Sequence, residues 1–300
     1  MDTETASRCG FVAIVGRPNV GKSTLMNQLL GRKISITSDK AQTTRHRICG
    51  IKTIANTQII YIDTPGLHQN EVKALNRYMN KTVKQVLREV DLVVMLVEGD
   101  RWTEEDQAML QSLAHSQLPV ILGINKVDLM KEKERLLPLI EQLRQKREFT
   151  AIIPLSASKG INTQEFEKTI ASLLPEDVHF FSAEQYTDRS ERFFAAEIIR
   201  EKLLRHLGQE VPYSATVEIE EFKQEQKLLR IHAMILVERE GQKAIIIGKN
   251  GERLKQIATN ARIDLERFFK GKVYLNLWVK VKRGWADDAR ALKSLGYDDN

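Results

Sequence analysis

Gly16, Gly21, Lys22 and Ser23 stand at the spacing G-x-x-x-x-G-K-S, within Gly16-Arg17-Pro18-Asn19-Val20-Gly21-Lys22-Ser23-Thr24. An apolar run, residues 11–15, leads into them and a helical pattern, residues 24–30, leads away. Strand, glycine-bounded loop, then helix is the context that predicts a phosphate-binding loop from this spacing. The N–H groups of the loop and the first helical turn would wrap a β-phosphate, aided by the helix dipole. Lys22 would neutralise β- and γ-phosphate charge, and the Ser23 hydroxyl would reach Mg²⁺. A chance match in a strand-to-helix turn is the competing reading, and both flanking elements argue against it.

Asn125-Lys126-Val127-Asp128 closes a second apolar run, residues 120–124. A carboxylate held there can accept from guanine N1–H and the 2-amino group together, a donor pair adenine lacks. Asp128 would therefore select guanine, because an unmatched base leaves its oxygens unpaired. Asn125 would tie this turn to the phosphate loop, and the stem of Lys126 would lie over the base. Ser156-Ala157, after the run 152–155, would add a backbone N–H from Ala157 to guanine O6. Asp63-Thr64-Pro65-Gly66 follows another strand pattern. Asp63 would hold Mg²⁺ through water, and the Gly66 N–H would sense the γ-phosphate. Between these motifs residues 39–46 are polar and aperiodic, as expected of a switch loop. One threonine there should close over the metal: Thr44 is favoured and Thr43 is the alternative.

A different chemistry appears in the second half. Gly248-Lys249-Asn250-Gly251 interrupts a helical pattern after Ile245-Ile246-Ile247. Glycines at 248 and 251 would let two helices meet and let an RNA backbone approach without a Cβ in the way. The three isoleucines would offer an apolar floor for unstacked bases. A helix–helix turn is the plainer reading of such a loop. The charge distribution favours RNA: residues 227–283 hold 14 Lys or Arg against 5 Asp or Glu, whereas residues 184–226 hold 6 against 10. Gly248, Lys249, Asn250 and Gly251 are the expected backbone contacts, with Arg253, Lys255, Lys270 and Lys272 as further candidates.

The elements that must position these groups follow from periodicity. Strand patterns alternate with amphipathic helices, one face of which is Leu75, Met79, Val83, Val86, Leu87 and Val90. Thr103 with Glu104, Glu105 and Asp106 reads as a helix start. The alternation predicts a doubly wound, mostly parallel α/β sheet over residues 1–175, with nucleotide at the strands' carboxyl ends. Residues 176–190 read as a linker, and residues 191–283 as an α+β domain in the order α-β-β-α-α-β. Residues 284–300 read as a tail, with a short amphipathic helix over 285–295 that lacks a clear basic face. The 300 residues suffice for two cores, no apolar run spans a bilayer, and the first residues lack the parts of a signal peptide. Cys9 and Cys49 have neither metal nor disulfide spacing and read as small buried residues of a reducing cytosol.

These motifs together resemble the translation-factor-like GTPases, and within them the Era family. The resemblance rests on GRPNVGKST, KAQTTRHRI, the DTPG turn and a second half that looks like a type II KH domain, and it covers the whole length. It implies GTP hydrolysis coupled to small ribosomal subunit assembly, and binding to the 3′ end of small-subunit ribosomal RNA. Where Ras-like enzymes carry a water-orienting glutamine, this chain has Leu67, which can neither donate nor accept. In related GTPases with asparagine at the position of Asn19, K⁺ occupies the place of an arginine finger. Slow intrinsic turnover, stimulated by K⁺ or RNA, is therefore expected. His68 reads as an exposed switch residue rather than a base. The expected cofactors are GTP or GDP, Mg²⁺ and, as a candidate, K⁺. A cytoplasmic monomer without a DNA partner is expected, with peripheral association at the inner membrane face as an alternative. Two further readings remain: an RNA-binding factor gated by nucleotide with little turnover, and a GTPase acting on another RNA such as transfer RNA.

Overall fold

The computed structural model describes residues 6–40, 42–66, 74–99, 101–114, 116–208 and 215–297. The chain divides into two units, one of residues 1–37, 44–69 and 79–188, the other of residues 38–43, 70–78 and 189–300. In the first unit six strands are ordered β2-β3-β1-β4-β5-β6. They are β1 (Arg8–Val15), β2 (Ile48–Ile54), β3 (Thr57–Asp63), β4 (Leu92–Glu98), β5 (Val120–Asn125) and β6 (Ala151–Pro154). All pairs are parallel except β2 with β3. Runs such as Leu92-Val93-Val94-Met95-Leu96 are buried on both faces, which is why they are continuously apolar. The edge strand β2 is the element that periodicity misses. Lys52 and Thr53 interrupt its apolar residues, and its partner lies across a short turn rather than a helix.

Helices α1 (Lys22–Leu30), α2 (Ala74–Glu89), α3 (Glu104–Ser112), α4 (Leu136–Arg144) and α5 (Thr163–Leu173) connect the strands. Helix α3 starts as its sequence predicts. Thr103 accepts from the Asp106 N–H, and Asp106 accepts from the Thr103 N–H, a reciprocal capping box. Because β1, β3, β4, β5 and β6 run the same way, Gly16, Asp63, Glu98, Asn125 and Ser156 emerge along one edge of the sheet. Cys9 and Cys49 are buried free thiols.

The second unit contains α6 (Glu191–His206), β7 (Ala215–Glu225), β8 (Leu228–Val237), α7 (Glu240–Ile247), α8 (Glu252–Phe269), β9 (Lys272–Val281) and α9 (Ala289–Ser294). Strands β7 and β8 are antiparallel, and β8 and β9 are parallel. Leu229, Ile231, Ala233, Ile235 and Val237 alternate along β8 and bury one face against Ile198, Leu203, Ile246, Ile257 and Leu265 from the helices. The segment read as a tail is packed: Trp285 is fully buried, and the Tyr297 hydroxyl bonds Thr216 Oγ1 at 3.0 Å. The Leu75 N–H donates to the Ala286 carbonyl at 3.1 Å. No helix among the described residues is long and apolar enough to cross a membrane.

Trp285→Ala should destabilise the second unit by about 3–5 kcal/mol, the usual range for emptying a site of this size. Hydrogen exchange checks this: amides of β7, β8 and β9 should lose protection, and unchanged protection would show the segment to be peripheral.

Candidate functional site

Gly21 caps α1 in the left-handed region (φ 102°) and provides no side-chain bond to the helix N-terminus. The first N–H groups of α1 therefore have no cap but the loop itself, which is the arrangement that receives an anion. The glycines are obligatory: a Cβ on Gly16 would meet the Leu96 carbonyl oxygen at 2.5 Å, and one on Gly21 would meet Asn125 Nδ2 at 2.3 Å. Lys22 is buried and donates Nζ to the carbonyls of Gly16 (2.9 Å) and Arg17 (3.0 Å). Burial pushes its pKa down to about 8, with Asp63 opposing and Arg17 adding to the fall. Its charge is thus costly where it stands, a cost that a bound anion would offset. Asn19 is exposed at the loop's tip with φ 64°.

Asp63, Ser23 and Thr44 converge. Asp63 Oδ2 accepts from Ser23 Oγ at 2.7 Å and from Thr44 Oγ1 at 3.2 Å, and the two hydroxyls are 2.9 Å apart. Asp63 Oδ1 is buried without a partner in hydrogen-bonding geometry. Burial raises the Asp63 pKa, opposed by Ser23, Lys22, Ser35 and Thr44. One carboxylate with an orphaned oxygen and two hydroxyls is a hard, all-oxygen donor set, and it fits Mg²⁺. Thr43 lies elsewhere, its hydroxyl bonded to Ser38 Oγ (2.7 Å) and the Lys40 carbonyl (2.5 Å). Thr64 turns inward to the Ile14 carbonyl at 2.9 Å. Gly66 lies so near Pro18 that a Cβ would meet Pro18 N at 3.1 Å, which keeps its backbone against the phosphate loop. Leu67 and His68 lie outside the described residues, as does Ala41 of the switch segment.

At the guanine end, Asn125 joins three segments. Its Nδ2 donates to the Val20 carbonyl at 2.7 Å, and its Oδ1 accepts the Ala157 N–H at 2.9 Å. The Ala157 N–H expected to meet guanine O6 is thus directed at Asn125 in this structure. Ser156 is buried, its N–H and carbonyl bridged to Ile161. Asp128 Oδ1 is buried without a partner, the state expected of a carboxylate kept for a donor pair. Two features escaped sequence reasoning. The Arg17 side chain leaves the phosphates for Glu98 (2.5 Å) and Asp106 (3.3 Å), and Lys126 Nζ also reaches Glu98, at 3.1 Å. Motif spacing says nothing of side-chain direction, and Glu98 belongs to no motif.

In the second unit Gly248 (φ 72°) and Gly251 (φ 78°) frame the break between α7 and α8, with Asn250 also at positive φ. Lys249, Asn250, Arg253 and Lys255 are exposed around it. Arg253 NH1 is partly committed, donating to the Ile245 carbonyl at 2.6 Å. Of the three isoleucines, Ile245 alone supplies an open apolar surface, at 44% exposure; Ile246 is core and Ile247 is half-buried. Lys270 and Lys272 do not join the cluster. They lie past the far end of the 18-residue α8, roughly 27 Å along its axis from the glycines. The same unit grips part of the switch segment. Arg200, paired with Glu197 at 2.7 Å, donates to the carbonyls of Gln42 (3.3 Å) and Thr43. Lys40 Nζ reaches the carbonyls of Leu207 and Gly208. A Glu–Arg pair three apart on a helix reads as a solvated face, so nothing in the sequence signals this burial.

Comparison with known proteins agrees with both halves. A family profile described as a 50S ribosome-binding GTPase matches residues 11–126, and a KH domain profile matches residues 210–286. GTPase Era of Pseudomonas aeruginosa is 58% identical over 298 residues, covering 99% of this chain and 98% of its own. GTPase Era of Marinobacter nauticus is 59% identical over 293 residues, covering 98% and 96%. Among solved structures, a point variant of Aquifex aeolicus Era bound to GDP·AlF4⁻ superposes with TM-score 0.94 at 42% identity, covering 97% of this chain and all of that one. Era in complex with MgGDPNP and nucleotides 1506–1542 of 16S ribosomal RNA gives 0.95 at 42% identity, covering 98% and 100%.

Asp128→Asn should weaken GTP binding by about 10²-fold or more, since an amide cannot accept from both guanine donors. The same variant should gain affinity for xanthosine triphosphate, whose C2 carbonyl can take the new amide proton. Competition titrations with the two nucleotides check both directions.

Proposed function

The chain belongs to the Era family of GTPases, and from that premise we propose that its hydrolysis of GTP switches a KH domain on and off the 3′ end of small-subunit ribosomal RNA during subunit assembly. The observation that carries the reading is the Gly248–Gly251 loop. Two positive-φ glycines bare the backbone between α7 and α8, with Lys249 exposed beside them. A relative 42% identical over the full fold binds 16S nucleotides 1506–1542, which supports assigning the same class of RNA here. RNA backbone passes over Gly248 and Gly251, Lys249 faces phosphate, and Ile245 meets a base.

In the first unit Lys22 and the α1 N–H groups hold the β- and γ-phosphates, and Asp128 accepts from guanine. Ser23, Thr44 and Asp63 would hold Mg²⁺, which would supply charge neutralisation at the phosphates when bound. The Gly66 N–H faces the γ-phosphate, and Thr44 follows its presence, so the 39–46 segment orders with GTP and relaxes after hydrolysis. Leu67 cannot orient the attacking water, which makes unaided turnover slow, on the order of 10⁻³ s⁻¹ or below. Asn19, exposed in the loop, is the residue that would help hold K⁺, which would add charge stabilisation.

Steady-state GTP hydrolysis in K⁺ and in Na⁺, with and without an RNA copying the small-subunit 3′ end, tests this. Turnover should rise in K⁺ and again with RNA. Lys249→Ala should remove the RNA effect and lower the salt slope of RNA binding by about one. If RNA binds yet turnover stays flat in every condition, the protein is a nucleotide-gated RNA binder in which Leu67 has silenced catalysis.

A further inference from the structure

Glu98 ends β4 and pairs in register with Asn125, where the guanine turn begins. Its two oxygens serve different loops. Oε2 accepts from Arg17 NH2 at 2.5 Å, and Oε1 accepts from Lys126 Nζ at 3.1 Å. Arg17 is 8% exposed, and its own carbonyl is one of the two that hold Lys22 Nζ. Its Nε is fixed from the other side by Asp106 Oδ2 at 3.3 Å, and that carboxylate is anchored in the α3 capping box. Lys126 sits in the left-handed region (φ 63°), two residues before Asp128. The Glu98 side chain is 18% exposed, so these charge-assisted bonds are stronger than their surface counterparts. Arg101 NH2, at 3.4 Å and largely exposed, is a marginal third partner.

We propose that Glu98 is a positioning residue for GTP: a carboxylate strut that fixes the phosphate loop and the guanine turn at the separation one guanosine triphosphate spans. Asn125 supplies one link between the two loops, through the Val20 carbonyl. A single link leaves the loops free to pivot about it, and the Arg17–Glu98–Lys126 bridge supplies a second that removes the pivot. Base and phosphates are then bound as one unit, the correct base helping to seat the phosphates and the reverse. Glutamate suits the place because its two charged oxygens each take one cation, whereas a glutamine offers a single, neutral acceptor oxygen. Burial opposes ionisation of Glu98, yet Arg17 and Lys126 hold its pKa down at about 2, so the strut stays charged wherever the protein is folded.

The strut rests on the reading that residues 16–24 and 125–128 hold GTP. The test measures KM and kcat for GTP, and GTP-over-ATP selectivity, in the full chain with Glu98→Gln, Glu98→Ala and, as a control on the site itself, Asp128→Asn. A positioning role predicts KM raised about tenfold or more in Glu98→Ala, less in the isosteric Glu98→Gln, with kcat within about threefold and selectivity reduced. Glu98→Gln and Lys126→Met should combine sub-additively, since both remove one link. KM and selectivity within about twofold of wild type in both Glu98 variants would overturn the strut, whatever happens to their melting temperatures. If Asp128→Asn also leaves GTP affinity unchanged, the site reading fails and the strut falls with it. If only Asp128→Asn weakens GTP, the site stands and the strut alone is rejected.

Discussion

A helix that begins without a side-chain cap leaves its first N–H groups to be answered by something else. In this chain the α1 N-terminus is that helix, and much of the first unit is arranged around what will answer it. The cap position is Gly21, because any Cβ there would strike Asn125. Lys22 is drawn beneath the loop, where burial makes its charge costly until an anion arrives. Asp63 is likewise buried with one oxygen unused. Two buried charges of opposite sign, each costly to hold and each partly offsetting the other, suit a site that takes phosphate and its counter-cation together.

The parallel sheet brings the remaining parts to this point. Adjacent parallel strands end on one edge, so residues far apart in sequence, such as Glu98 and Asn125, become neighbours without any local signal between them. Two adjacent threonines serve different ends. Thr44 turns its hydroxyl to Asp63 in the first unit, while the Thr43 carbonyl is held by Arg200 in the second. The boundary between the compact units thus passes through the switch segment itself.

Most of the site was legible because its chemistry demands fixed residue types at fixed spacing. The phosphate loop, the Asn125–Asp128 turn, Asp63–Gly66 and the Gly248–Gly251 loop are short, and backbone geometry restricts each. What was not legible depends on direction rather than type. Arg17 belongs to the loop by sequence, yet its guanidinium faces Glu98 and Asp106. Ile246 looks like its neighbours but is core, since one residue of helical rotation turns a side chain by about 100°. Lys270 and Lys272 count toward the regional charge, and a full helix separates them from the loop they were meant to serve. Trp285 was missed because a short segment flanked by Lys282, Arg283, Asp287 and Asp288 has no periodicity to reveal a single buried ring.

Strands β8 and β9 are neighbours and parallel, so the chain must travel the whole length of the sheet between them. The α7–loop–α8 segment is that return path. Its glycine break lies between two ends that are both fixed in the sheet, one by β8 and the other by β9. During synthesis β9 cannot complete its pairing with β8 until Val281 has been made. The six-stranded sheet, whose last strand ends at Pro154, is therefore fully synthesised well before the second sheet can form.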